Sequence, residues 1–192
     1  MKHAKQYTTY TITGSLVYVI VIWLLHGVRP ELPYDQSYVS NYLQGNLGWL
    51  AILAFFANAY GTWVLPRALA HIGIAEKSLI SRLLRIFAIG YAVAAVTMEA
   101  PLIHGIAAYM TFLSLPLAAI ILWKQKRKQA DWRRDARTSL MLGIVQIWAL
   151  LFSWQAYGPF VGERILILSE IAWLVWLASA TSKRLSNTSR QI

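Results

Sequence analysis

The chain has no cysteine among its 192 residues. That excludes a disulfide framework, a thiolate metal site and a cysteine nucleophile. Acidic residues are scarce, eight against eighteen Lys and Arg, and only 14% of the chain is charged. Four histidines are spread along it, with neither a His-Glu-x-x-His run nor a Gly-x-Ser-x-Gly elbow. Neither internal repeats nor low-complexity tracts divide it, so 1–192 reads as one domain. Its apolar runs lack the two-residue alternation of membrane β-strands, which argues against a barrel.

What remains is hydrophobic: 57% of the residues are apolar, in six runs of bilayer-spanning length. The spans fall at about 8–25, 47–65, 83–98, 102–123, 139–157 and 164–180. In lipid a helix satisfies its own backbone hydrogen bonds. The expected fold is therefore all-α, a polytopic bundle of six transmembrane helices. The start, Met1-Lys2-His3-Ala4-Lys5 before the first run, resembles a secretory leader, but no small-x-small cleavage site follows His26, so the run is read as a retained span.

Sixteen of the eighteen Lys and Arg lie in, or within a turn of, the two tails and the second and fourth connections; the exceptions are Arg29 and Arg164. With their acidic neighbours these segments carry +13, and the other side carries −3. The positive-inside rule then places both termini in the cytoplasm of a multi-pass inner-membrane protein. The same rule accounts for the formal charge of +10, so nucleic acid is not an expected partner. The basic fourth connection, 124–137, reads as a topology anchor that can also meet anionic lipid headgroups. The second, 66–82, has room for a short interfacial helix. Trp23, Trp49 and Trp154 would mark one interface, and Trp63, Trp123 and Trp176 the other.

In this topology the remaining polar residues gather at one end. His26 closes span one, and Asp35, Ser40 and Asn41 occupy the first outer connection. Glu99 and His104 bracket the turn before span four, and Glu163 and Arg164 open span six. Ser40, His104 and Glu99 have the residue types of a nucleophile, base and orienting acid. His26, Glu99 and His104 are the alternative, a metal triad holding a reactive water. The bland reading leaves Glu99 and His104 as interfacial residues reaching water. No resident cofactor is expected.

Within the spans, Asn58 suits an interhelical hydrogen bond. Glu170 lies seven residues beyond Glu163 and so shares its helix face two turns deeper, where an ionisable group is a functional candidate. Small residues at Ala51, Ala54, Ala57, Ala59 and Gly61, and at Ala88, Gly90, Ala92, Ala94 and Ala95, predict close helix approach.

Three stretches carry a resemblance: Tyr34-Asp35 through Ser40-Asn41 to Gly45, His104-Gly105-Ile106-Ala107-Ala108, and Gly162-Glu163-Arg164 with Trp173. In order and spacing they resemble the small prokaryotic membrane proteins of domain-of-unknown-function family 998. The resemblance implies a six-helix membrane protein and assigns no activity. It implies matching positions at Ser40, Glu99, His104, Glu163 and Arg164; an acidic residue is usual where Asn41 stands, and Glu170 lies outside the pattern. Together these readings favour a protein that binds or moves a lipid or another amphiphile through an outward polar pocket. The alternatives are a membrane-embedded hydrolase or acyl transferase and a structural or accessory subunit.

Overall fold

The computed structural model describes residues 2–188; the side chains of Lys2, Trp154 and Thr188 lie outside the described set, so Trp154 is not placed as an interface marker, and Arg190 is not described. Helices are the only regular elements among the described residues, joined by turns and by the longer 29–47 connection. They are α1 (Lys2–Val28), α2 (Gly48–Ala70), α3 (Leu79–Ala94), α4 (Pro101–Lys126), α5 (Arg133–Trp148), α6 (Trp154–Tyr157) and α7 (Pro159–Thr188). A π-helical turn, Ala149–Ser153, joins α5 and α6 into one rod.

Five of these rods are long and apolar enough to cross a membrane. The sixth, α3, has 16 residues, about 24 Å of helix against a hydrocarbon core of about 30 Å. The expected span 83–98 is thus displaced: the Ser78 side chain accepts from the Ser81 N–H and starts the helix at Leu79, and helix ends at Ala94. The expected interfacial helix at 66–82 does not form. Instead α2 continues through Pro66 to Ala70, and residues after it form turns. The fifth and sixth spans start earlier than expected. Arg133 to Arg137 join the helix directly from a 3₁₀ turn, Ala130–Trp132, while Gly158 at φ +80° reverses the chain and Pro159 opens α7.

Burial is that of a bundle in an apolar solvent. Leu16, Ile20 and Leu24 of α1 are exposed, as are Leu113 and Leu117 of α4, whereas the fully buried set includes Asn58, Gln146 and Glu170. Helix pairs close where side chains are absent. A Cβ on Gly14 would sit 2.2 Å from the Ala57 carbonyl oxygen, and one on Gly61 would sit 2.6 Å from that of Tyr10. Backbone therefore packs on backbone between α1 and α2. Polar bonds lock the contact: Ser15 Oγ donates to Asn58 Oδ1 at 3.0 Å, and Thr11 Oγ1 donates to the Gly61 carbonyl at 2.7 Å. Gly90 brings α3 onto α4 in the same way, 2.8 Å from the Ala107 oxygen.

On the other side of the bundle, buried Trp173 of α7 donates its Nε1–H to Ser139 Oγ at 3.0 Å, and Ser139 donates to the Ala119 carbonyl at 2.9 Å. One serine thus links α4, α5 and α7. At the end that carries both termini, Arg184 of α7 stacks 3.8 Å over the Trp132 ring and binds Asp131 and Asp135. Lys126 approaches the same ring and donates to the Gly73 carbonyl. The opposite end holds the 29–47 connection, the 95–100 turn and Gly158.

Candidate functional site

At that opposite end the 29–47 connection folds back as a roof. Arg29 fastens its two ends: Nε donates to Glu31 at 2.8 Å, and Nη1 donates to the Gln44 carbonyl at 2.6 Å. Exposed Glu31 is held below the ordinary carboxylate range, chiefly by its hydrogen bond from Arg29. Between these ends a 3₁₀ turn, Val39–Leu43, is capped by Asn41, whose Oδ1 accepts from the Tyr38 N–H at 2.7 Å.

The start of α7 pins the roof from below. Glu163 Oε2 accepts from the Val39 N–H at 2.7 Å, and Arg164 Nη1 donates to the carbonyls of Ser37 at 2.7 Å and Phe160 at 2.9 Å. Arg164 Nη2 is buried and has no hydrogen-bond partner among the described residues.

Beneath the roof a pocket of about 250 Å³ opens between α1 and α7. Tyr18, Val19, Ile22, Trp23 and His26 line one side, Ile167, Leu168 and Arg164 the other, and Tyr34, Val39 and Tyr42 the roof. Trp23 and Leu168 are 63% and 45% exposed, so the mouth faces laterally, out of the bundle between the two helices. The walls are almost wholly apolar, with His26, Arg164 and the tyrosine hydroxyls as the polar groups. Tyr42 donates its hydroxyl to the Leu32 carbonyl at 3.3 Å, which leaves its oxygen to accept from His26 Nδ1–H at 3.0 Å. In that arrangement the second ring nitrogen of His26, Nε2, keeps a free lone pair.

A second pocket, about 30 Å³, lies among α1, α2, α3, α4, α7 and the roof turn, room for one or two waters. Ser40, His104 and Glu163 line it together with Tyr18 and Tyr91. A carbonyl can only accept, so the contact of His104 Nδ1 with the Ala94 oxygen at 3.2 Å places a proton on Nδ1 and leaves Nε2 as the acceptor.

The candidate residues are therefore divided. Ser40, His104 and Glu163 share the small pocket, while His26 and Arg164 border the large one. Asn41 is spent on the roof's own turn, and Asp35 is exposed on its surface. Glu99 is exposed on the 95–100 turn and makes no hydrogen bond to His104, whose Nδ1 is taken by Ala94. Among the described residues no three His, Asp or Glu side chains converge to hold a metal, so His26, Glu99 and His104 do not form a triad of ligands. Glu170 is fully buried, and both of its carboxyl oxygens lack a hydrogen-bond partner.

Sequence reasoning missed Tyr18 and Tyr91. Their rings meet edge to face at 5.4 Å, and both hydroxyls are buried. The available signal was depth. A tyrosine in the middle of a span, away from either interface, has no water for its hydroxyl.

Long apolar helices, lipid-compatible outer faces and a polar roof at one end define a multi-pass membrane protein. The chain belongs to the family described as Protein of unknown function (DUF998), whose model matches residues 12–180. No curated protein and no solved structure matches the chain.

Proposed function

We propose that this is a six-crossing protein of a prokaryotic plasma membrane, with both termini in the cytoplasm, whose α1–α7 pocket holds a membrane amphiphile. Six crossings follow if α3 spans with the help of its flanking turns, and the charge asymmetry supports the orientation.

The observation that carries the ligand is the pairing of apolar walls with the unpartnered Arg164 Nη2 and the free Nε2 of His26. A headgroup bearing acceptor oxygens would satisfy the guanidinium under the roof, while an acyl chain left through the lateral mouth. At about 250 Å³ the pocket is smaller than the usual ligand pocket of about 300–1,000 Å³, so it would take a headgroup and the first part of one chain, the rest staying in the bilayer. Asp35, Asn41 and Glu99 would sit at or near the roof edge, outside the apolar part.

The test is extraction with a polymer that retains native lipid, followed by mass spectrometry. One lipid class should be enriched over the bulk membrane, and Leu168→Trp, which fills the pocket, should abolish the enrichment. A bound profile equal to the bulk membrane in both proteins would sink the reading.

A second reading, a membrane hydrolase or acyl transferase, rests on Ser40 and His104 lining one pocket. His104 Nε2 would take the Ser40 proton as Oγ attacked an acyl carbonyl, then return it to the leaving group. Glu163, not Glu99, would be the nearby acid. A lipophilic fluorophosphonate should then label the wild type and not Ser40→Ala; labelling unchanged by Ser40→Ala excludes it.

A further inference from the structure

Glu163 and Arg164 adjoin in the chain but serve different pockets: Glu163 lines the small one and Arg164 the large one. Among the described residues no Asp or Glu lines the large pocket, whose other polar groups are His26 and the hydroxyls of Tyr18, Tyr34 and Tyr42. Of the two bases at this end of the bundle, Arg29 is paired with Glu31. Arg164 enters none of the ion pairs found among the described residues. Nor does Glu163 take that place, since its Oε2 accepts from the Val39 N–H on the side of the small pocket.

The guanidinium is thus held without being neutralised. Nη1 donates to the carbonyls of Ser37 and Phe160 at 2.7 and 2.9 Å, which fixes the fork but brings no net negative charge. Nη2 has no acceptor and is closed off from solvent, so a ligand oxygen reaches it by a small rotation of the flexible side chain. A cation in apolar surroundings is costly until an anion joins it, and the planar fork matches the paired oxygens of a carboxylate or phosphate. Acceptor oxygens alone do not distinguish headgroups, because neutral and zwitterionic lipids also carry them. The missing countercharge does. A zwitterion would bring an ammonium group for which the pocket holds no carboxylate.

We propose that the α1–α7 pocket selects an anionic amphiphile, one whose phosphate or carboxylate is the countercharge of Arg164 and whose chain leaves between Trp23 and Leu168. The proposal rests on the amphiphile reading and adds the charge of the ligand. His26 makes the second polar contact: with Nδ1–H donated to Tyr42, its Nε2 accepts, which suits a hydroxyl on the same headgroup. A free inorganic anion would meet the guanidinium and leave the apolar walls empty, so the walls select a lipid anion over a soluble one.

The experiment is native mass spectrometry of the full chain released from micelles doped with phosphatidic acid, phosphatidylglycerol, phosphatidylcholine and diacylglycerol of equal chain length, with oleic acid as the carboxylate. Anionic lipid also meets the basic end, so the quantity read is the bound lipid that Leu168→Trp removes. That fraction should be anionic, by about tenfold or more over phosphatidylcholine and diacylglycerol. Arg164→Gln should erase the preference. Because Arg164 also fastens the roof, a second variant leaves it in place. Tyr34→Glu, at an exposed residue that lines the pocket, supplies a carboxylate from the roof. It should cut anion binding by a similar factor without lowering the weak binding of diacylglycerol.

Two results overturn the anionic assignment and leave the amphiphile reading standing: neutral lipids bound equally in the fraction that Leu168→Trp removes, or an anion preference that survives Tyr34→Glu. Inorganic phosphate in excess should not displace the lipid; displacement would make this a site for a soluble anion and overturns the proposal. If Leu168→Trp removes no lipid of any charge, the proposal and the amphiphile reading fall together.

Discussion

Glu163 Oε2 accepts a hydrogen bond from the Val39 N–H at 2.7 Å, joining residues 124 apart in the chain. With the Arg164 bond to the Ser37 carbonyl, it makes α7 the fastening point of the roof. Glu163→Ala would leave a buried backbone donor unpaired, at a cost of about 1–3 kcal/mol. Glu163→Gln keeps an acceptor oxygen and should cost much less. Protease cleavage within 30–47, timed in detergent, should accelerate in the Ala variant and change little in the Gln variant.

Gly14 and Gly105 make a matched pair of tests. A methyl on Gly14 would meet the Ala57 carbonyl at 2.2 Å, whereas a methyl on Gly105 has nothing within 4 Å. Gly14→Ala should lower the thermal midpoint, at about 1–3 kcal/mol of overpacking. Gly105→Ala should leave the midpoint unchanged or raise it, because Ala exceeds Gly in helix propensity by up to about 1 kcal/mol. Equal effects of the two variants would contradict the α1–α2 packing.

The bond from Trp173 to Ser139 should behave as one unit with the packing around it. Trp173→Phe and Ser139→Ala should each destabilise. Their double variant should fall short of additivity by about 0.5–1.5 kcal/mol, the net worth of one hydrogen bond. Unfolding followed by helical circular dichroism provides the cycle, and strict additivity would deny the contact.

The absence of cysteine makes a topology test simple. A single Cys at Asp35 should react with a membrane-impermeant maleimide applied to intact cells, and single Cys at Lys77 or Arg134 should react only after the membrane is opened. Labelling of Arg134→Cys in intact cells would reverse the proposed orientation.

The Arg29–Glu31 pair gives a pH dependence of known sign. Its carboxyl is held below the ordinary range. The contact therefore contributes above the ordinary glutamate value of about 4.3, and is lost as the pH falls through the lowered value. Because Glu31 is exposed, the effect on global stability should be small. Cleavage of the roof should rise in acid for the wild type, and Glu31→Gln should blunt that rise.

Much of the fold was legible in the sequence because the bilayer imposes one rule on every span. Runs of apolar residues must be helical, and their number, order and charge asymmetry are local properties. The small residues of α2 and α3 also announced close packing, found at Gly61 and Gly90. Boundaries were less legible. Whether Arg133 to Arg137 are helix or loop depends on what the flanking turns do, and Leu79 begins α3 because Ser78 caps it.

The site was legible only as a list of polar residues at one end. Glu99 looked like the partner of His104 because five positions separate them, yet the helix start at Pro101 hands the imidazole to the Ala94 carbonyl and leaves Glu99 at the surface. Glu163, 59 positions from His104 by sequence number, lines the pocket instead. Tyr18 and Tyr91 looked like two more aromatic residues among many.

By itself the sequence determined an apolar helical chain, its segment order and which segments carry positive charge, since each follows from the transfer of nearby residues between water and lipid. Only the tertiary structure decided which carboxyl meets the roof, which histidine nitrogen stays free and which tyrosines line the small pocket with Glu163. Those choices depend on the rotation of each helix about its axis, and packing between helices sets that rotation.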